Sequence, residues 1–513
     1  MDRGSMYRVV IILILFLSVE KYKAQDTLNT LLVEKVSYQL YQEKKWDELI
    51  VFSKKAIKQD FDYYYLRLRL GIAYYEQKKY LLATTHFQKA IVFNSSDDLV
   101  KEYLYYCYIY SGRYVDAKIL SNEFGDDLVK KIGINNSSSL DIIEISAGGK
   151  FPNSSQFENT HPEKLYNIRN LDSADVNSTD TARYSNAKYF QLAFGHYVKN
   201  RFYLFHAFSN FVQETDHFSH GFKTFDLHDP PILPPGETNH FTASTTKNSY
   251  DVTKQIQYYI GATIPFKNNW TVSPAIHFIN SSIQSKTENT VFSKSVMHPA
   301  MQPPEIVEVP FNPTLQTTTV KTNSIYMVES FSVSKRISNL SISLGNTFSN
   351  FDKTKRIQTS LSINYAPLGN NRVVLSGEVH HVYTIDSAES RVALAPTITL
   401  FPTDRIMLTL GYMVDFNDKQ KDVHSNNVIE GNGLLINNST DKTHSRFSAV
   451  GNFIIGKHLD LFAVYTYENN FATLPLPPDH PNAPPLGFNY YYNNFFVGIR
   501  IKNFKKFTNQ NNN

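Results

Sequence analysis

At 513 residues the chain has room for two or more domains, or for one small domain beside a large barrel. A formal net charge of +4 with no long basic run argues against nucleic acid as a partner, and the short patch Lys502 to Lys506 reads as a solvated end. The single cysteine, Cys107, excludes an internal disulfide framework. In the aromatic run Tyr105-Tyr106-Cys107-Tyr108 it reads as a buried structural thiol rather than a nucleophile.

The first segment has the layout of an export signal. Arg3 and Arg8 form a basic region, Val9 to Val19 a short apolar core, and Tyr22-Lys23-Ala24 a cleavage site before Gln25, so residues 1–24 are expected to be removed. The apolar run is too short for a comfortable transmembrane helix, and no cysteine follows it to carry a lipoprotein anchor. No later stretch spans a bilayer as a helix. If the mature chain enters a membrane, it is expected to do so as a closed barrel, because only that form satisfies every strand's backbone groups in lipid.

Residues 25–133 are expected to be helical, with an apolar pattern that repeats every 34 residues. In the central copy Gly71, Ala73, Tyr74, Tyr80, Ala83, Phe87 and Ala90 have the spacing of paired helices. Small residues at Ala83 and Ala90 let the helices approach, and Tyr74, Tyr80 and Phe87 fill the groove between them. One period earlier stand Leu40, Trp46, Leu49 and Ala56; one period later stand Tyr108, Gly112, Tyr114 and Ala117. The outer copies depart at Ser37, in place of the first glycine, and at Ser121, in place of Phe87. This segment resembles tetratricopeptide repeats, about three of them, with divergent end copies acting as caps. The resemblance implies a module that holds a protein partner; the bland alternative is a spacer, or a lid on the domain that follows.

A polar linker, 134–139, leads into residues 140–504, where apolar residues alternate with small or polar ones. In the run Arg405 to Phe416 the even positions are Ile, Leu, Leu, Tyr, Val and Phe, and the odd ones Arg, Met, Thr, Gly, Met and Asp. Successive side chains of a strand face opposite ways, so one face is greasy and the other wet. We read fourteen strands, near 140–149, 188–198, 201–213, 253–265, 269–283, 323–334, 338–349, 355–366, 372–385, 389–401, 405–416, 443–455, 458–468 and 490–502. Connections after even strands are tight, such as Lys199-Asn200 and Gly456-Lys457. Several after odd strands are long: 150–187, 214–252, 284–322, 417–442 and 469–489. That asymmetry places both barrel termini, and the repeats, on the short-turn side. A polar tail, 505–513, ends the chain. The fold class expected is therefore a short tetratricopeptide α-solenoid followed by an antiparallel transmembrane β-barrel of about fourteen strands.

The wet face is mainly Ser, Thr, Asn and Gln, including Gln255, Gln257, Thr263, Gln358, Ser360, Ser362 and Asn364. Its sparse charges are Glu378, Arg391, Arg405, Asp415, Asp460 and Arg500, which we take as lumen candidates. Arg391 and Arg405 are expected to pair with Glu378 and Asp415 and to stiffen the wall rather than select ions. A neutral bore suits a small uncharged solute or glycan. Three long loops are rich in proline and histidine: His228 to Pro235, His298 to Pro313, and Pro477 to Pro485. Asp216, His217, His220, Asp226, His228, Asp229 and His240 crowd the loop 214–252 without metal-selecting spacing, so neither a metal nor a cofactor is expected. No phosphate-binding glycine loop, zinc-protease helix motif or nucleophile elbow occurs. His380 shares the lumen side with Glu378, but a hydrolase would need a serine converging on them as well.

In its whole organisation the chain resembles bacterial outer-membrane β-barrel proteins with N-terminal periplasmic tetratricopeptide repeats, a class that includes exopolysaccharide export porins. The resemblance implies a non-enzymatic outer-membrane channel or export component whose periplasmic repeats dock a protein. The alternative is a plugged barrel serving as a membrane-anchored scaffold. No functional residue of that class maps onto this sequence.

Overall fold

The computed structural model describes residues 29–134, 140–153, 179–227, 239–298, 305–309, 315–350, 355–386, 388–415, 442–456, 458–473 and 487–502. The export signal, most of the linker, the polar tail and most of the three proline-rich loops lie outside the described residues.

Three helical hairpins come first: α1 (Thr30–Gln42) with α2 (Trp46–Lys58), α3 (Tyr64–Glu76) with α4 (Tyr80–Phe93), and α5 (Asp98–Tyr110) with α6 (Tyr114–Leu120). Helices α1, α3 and α5 start 34 residues apart, and so do α2, α4 and α6. The turn position between paired helices recurs at the same period, with positive φ at Lys44, Lys78 and Gly112. Helix α6 is cut short where Ser121 replaces the aromatic anchor; its Oγ donates to the Lys118 carbonyl at 2.7 Å. A further helix, α7 (Asp126–Ile132), covers the exposed end of the stack through Leu128 and Ile132, an element the period alone does not reveal.

Within the hairpins Ala83, Phe87 and Ala90 are completely buried and Tyr74 nearly so. Phe87 stacks on Tyr103 with ring centres 5.2 Å apart. Gly71 is required here: a Cβ at that position would lie 2.6 Å from the Phe87 ring. Tyr74 lies flat on His86, whose Nδ1 is 3.0 Å from Arg67 Nη1. Burial, followed by the nearby Arg67 charge, pushes the His86 imidazole down to about 3. Cys107 is buried, and burial pushes its thiol up.

Fifteen strands follow: β1 (Leu140–Pro152), β2 (Thr179–Val198), β3 (Phe202–Leu227), β4 (Asn239–Phe266), β5 (Trp270–His298), β6 (Glu305–Val309), β7 (Leu315–Ile337), β8 (Leu340–Ser349), β9 (Arg356–Tyr365), β10 (Val373–Thr384), β11 (Glu389–Thr403), β12 (Ile406–Asp415), β13 (Lys442–Ile454), β14 (Leu459–Thr473) and β15 (Gly487–Lys502). Every neighbour pairs antiparallel, and β15 returns to β1, so fourteen strands close into a barrel with β6 added at the end of β5. All fourteen expected strands are present. The expected loops 214–252 and 284–322 are largely strand instead, because their Thr- and Ser-rich flanks keep the register of the strands below. Asp226 and His240 thereby become cross-strand partners on β3 and β4.

Outward-facing Leu408, Leu410, Tyr412, Leu361, Ile363, Phe495, Val497 and Ile499 are all exposed, as the alternation requires. On β5 the outer face is apolar at Trp270, Ile276 and Phe278 and polar from Asn280 to Glu288. The longest strands therefore rise well past the apolar belt on the loop side.

Two predictions follow from the helical core. Gly71→Ala should overpack the Phe87 contact and cost about 1–3 kcal/mol, read as a lower helical melting midpoint by circular dichroism. The second concerns pH. Unfolded His86 titrates near its ordinary value, whereas the folded imidazole stays neutral until about pH 3. The linked loss of stability therefore begins as pH falls through about 6.5 and ends near the folded value. Arg69 and Arg67 hold the Glu34 and Asp62 carboxyls low, so these add their own losses only at more acidic pH. His86→Gln should flatten the stability profile of the helical domain between about pH 6.5 and 5, and an unchanged slope there would sink the assignment.

Candidate functional site

The barrel interior and its turn-side mouth bring the candidate residues together. The helical domain is seated on that mouth, and several barrel turns bond to it directly. Leu81 N, in the first turn of α4, donates to the Gly369 carbonyl of the β9–β10 turn at 2.9 Å. Lys79, the residue before that helix, provides no side-chain cap, so the barrel turn satisfies an otherwise orphan donor. Gly369 has φ +72, and a Cβ on it would meet Leu82 at 2.8 Å; the close approach needs glycine. Asn370 Nδ2 donates to the Lys78 carbonyl at 3.0 Å.

At the β4–β5 turn, Asn269 Oδ1 accepts from Gln88 Nε2 at 2.7 Å and from Arg113 Nη2 at 3.0 Å, while Asn269 Nδ2 donates back to Gln88 Oε1 at 2.9 Å. Arg113 is held in place by its paired contact with Asp116 and by the face of Tyr108, 4.4 Å away. At the β2–β3 turn, Asn122 and Asn200 exchange two bonds of 3.0 and 3.1 Å. Lys118 lies 6.0 Å over the Tyr197 ring of β2. Tyr114 is raised by burial at the mouth, beside Asp460 and Asp141, and burial lowers Lys118. Contacts thus reach β2–β5, the β9–β10 turn and the sector around β1 and β14. The helical domain is a roof.

Inside the barrel, burial divides the wall. On the turn side the in-facing Ser330, Ser332, Ser334, Ser343, Ser360, Ser362, Asn364, Thr397 and Thr399 are partly exposed and line a mainly uncharged vestibule, with Glu378 on its wall and Arg336 at its mouth. On the loop side the in-facing residues are buried, with Tyr492 and Ile279 completely so and Gln255 and Gln257 at 1%. Charges run around this buried level on successive strands. Arg391 is paired with Asp415, and its Nη2 also donates to the Thr443 carbonyl at 2.6 Å. Arg446 neighbours Glu468, which takes the Lys150 ammonium at 3.1 Å, and Lys150 sits 4.1 Å over Tyr492. Nearer the turns, Asp460 is paired with Lys502, and Arg500 with Glu144 at 2.8 Å.

Five of the six lumen candidates therefore face inward. The expected pairing of Arg391 with Asp415 is present. Arg405 is the exception: it is exposed in the β11–β12 turn, one residue before β12 begins, so strand parity no longer turns it inward. Glu378 is not an arginine partner; its Oε2 lies 3.4 Å from His380 Nε2. His380 Nδ1 in turn lies 2.8 Å from Ser360 Oγ, which also accepts from Gln358 Nε2 at 3.1 Å. Ser360 is thus the serine that the sequence could not place beside His380 and Glu378. Its signal was the tight β9–β10 hairpin, in which residues equidistant from Asn370 pair, placing Ser360 opposite His380. The docking of the helical domain had no linear signal.

Among the described residues no group of three or more His, Cys, Asp or Glu side chains could hold a metal ion. No described helix is long and apolar enough to cross a membrane.

No family model and no curated protein sequence matches the chain. Solved structures similar to part of it are repeat proteins. A MamA mutant is 19% identical, covering 18% of this chain and 55% of its own, at a TM-score of 0.18. YrrB, described as a TPR protein with an unusual peptide-binding site, is 15% identical, covering 20% of this chain and 50% of its own, also at 0.18. The first TPR of Spaghetti (RPAP3), bound to an HSP90 peptide, is 18% identical over 21% of this chain and 82% of its own, at 0.18. The chain spans about half the length of the MamA mutant, and no residue role is taken from any of these structures.

Gly369→Leu should unseat α4 through both its positive φ and its contact with Leu82. Hydrogen exchange at the Leu81 amide reads this directly: protection in the parent chain and fast, uncapped exchange in the variant are expected.

Proposed function

We propose that this chain is an outer-membrane barrel held shut at its periplasmic mouth by its own repeat domain. The repeats would also be the docking site of a periplasmic protein, and displacement of the roof would admit a small uncharged solute or glycan. The observation that carries the reading is the set of bonds from Gln88, Arg113, Leu81 and Asn122 to three separate barrel turns. A belt of exposed apolar side chains around a closed barrel, far larger than soluble monomers tolerate, supports lipid as its surroundings. The mainly uncharged vestibule supports an uncharged cargo. The complete burial of in-facing Tyr492 and Ile279 favours a second reading, a plugged barrel acting as a membrane-anchored scaffold.

Planar-bilayer recording of the refolded full chain separates the two. For a roofed channel, the intact protein should be closed nearly all the time. Asn269→Ala combined with Gly369→Leu should raise open probability by roughly tenfold or more, through loss of the three Asn269 bonds and the Leu81–Gly369 bond at about 0.5–1.5 kcal/mol each. Silence in both proteins, with the roof shown by hydrogen exchange to be released, would establish the plugged scaffold instead.

A further inference from the structure

We propose that Ser360, His380 and Glu378 form a hydrolytic site in the barrel wall, acting on an ester of an uncharged, hydroxyl-rich compound. The three side chains face inward from adjacent strands, Ser360 on β9 and the other two on β10, two residues apart. Both ring nitrogens of His380 are engaged, Nδ1 at 2.8 Å from Ser360 Oγ and Nε2 at 3.4 Å from Glu378 Oε2. The two ring nitrogens exchange the roles they have in a serine protease triad, but a carboxylate still lies within ion-pair distance of one and a serine hydroxyl meets the other, so the imidazole can accept the serine proton.

The surroundings leave room for a substrate. Directly opposite Ser360 on β8 is Gly345, and opposite His380 and Glu378 on β11 are Ala393 and Ala395. The trio is thus flanked on both sides by residues with little or no side chain. His380 is buried at 8% exposure, but Ser360 is partly open to the vestibule and the Glu378 side chain is 43% exposed, so the base is shielded while the nucleophile can be reached. Gln358 Nε2 donates to Ser360 Oγ at 3.1 Å and helps to hold the nucleophile in position. The vestibule itself is lined by Ser, Thr and Asn, which suits a substrate rich in hydroxyls and without net charge.

The chemistry closes with water as the only co-reactant. Ser360 Oγ attacks the ester carbonyl carbon as its proton passes to His380 Nδ1. The tetrahedral intermediate collapses, the C–O bond to the alcohol breaks, and His380 returns the proton to the leaving oxygen. Water then attacks the acyl-serine, giving its proton to His380; the C–Oγ bond breaks, His380 passes that proton to Ser360 Oγ, and the acid is released. Ester and water become alcohol and acid, with no change of oxidation state.

The test uses the full chain refolded in detergent, with folding checked by heat-modifiable gel migration. A fluorescent fluorophosphonate should label a single serine, mapped to Ser360 by peptide mass spectrometry, and Ser360→Ala should abolish the label. Hydrolysis of p-nitrophenyl acetate should fall by about 100-fold or more in Ser360→Ala and His380→Ala, with imidazole partly restoring the latter. Glu378→Gln should lower kcat and shift its pH profile. Ser390→Ala, whose Oγ meets His381 Nε2 at 2.6 Å on the outer face, should leave both readouts unchanged. A mono-O-acetyl hexose should show a higher kcat/KM than a cationic or anionic acetate ester of similar size. Labelling of a different serine, no labelling of the folded chain, or unchanged hydrolysis in Ser360→Ala would overturn the site. Equal turnover of charged and neutral esters would overturn the substrate class.

Discussion

The hydrogen-bonded seam between β1 and β15 is the constraint on which the rest depends. Its register runs from Ile142 opposite Lys502 to Pro152 opposite Tyr492. Without it two edge strands would each present a row of unpaired N–H and C=O groups, which neither lipid nor a packed core accepts. With it, strand parity is fixed around the whole circumference, and the outward apolar set is kept on one face of the wall. The seam is clipped from inside as well. Glu144 and Arg500 are direct cross-strand partners and form an ion pair, while Lys150 of β1 reaches across β15 to Glu468 of β14. Because the barrel closes with an even number of strands, β1 begins and β15 ends on the same side, and the repeats must emerge there.

What the repeats do at that mouth follows from their period. The inter-helix turns at Lys78 and Gly112 both approach the β9–β10 turn: Asn370 binds the Lys78 carbonyl, and Asn371 Nδ2 would lie 3.6 Å from a Cβ on Gly112. Hairpin ends spaced by one repeat meet loops of a barrel whose turns are equally regular. A helix that carries its own cap gains little from docking. Helix α4 lacks one and takes the Gly369 carbonyl in its place, so its first turn is completed only when the roof is seated.

Much of this was legible in the sequence, and the reasons differ by level. Alternation and the short turns specify strand existence and facing, since a one-residue slip would turn a whole apolar set inward. The helical pairs were legible because Ala83, Phe87 and Ala90 leave few other ways to pack. Strand ends were not. The upper halves of β3, β4, β5 and β7 read as loops because the sequence there loses its two-residue apolar alternation, although strand pairing continues. Arg405 was assigned by parity in a turn where parity no longer holds. Ser360 and His380 were each placed on the correct face, but their meeting depends on hairpin register, which comes from the turn centred on Asn370 and not from either strand. The docking of the helices on the turns rests on asparagine side chains, a residue type that linear patterns read simply as loop.

The distribution of charge inside the barrel completes the picture. Buried ions are tolerated when each is matched, and here they are matched along one arc, from Arg391 on β11 through Asp415, Glu468 and Lys150 to Glu144 and Arg500 at the seam. Fixed pairs of opposite sign stiffen that arc and leave little net field in the barrel interior. The opposite arc, β7 to β9, offers inward serines at 330, 332, 334, 343, 360 and 362. Ser360, His380 and Glu378 stand where the two arcs meet. On the neutral arc His380 would lack a carboxylate to orient it, and on the charged arc a Glu378 tied up by arginine could not serve that purpose. Only at the boundary can an inward carboxylate take an imidazole as its partner while a hydroxyl stays within reach on the adjacent strand.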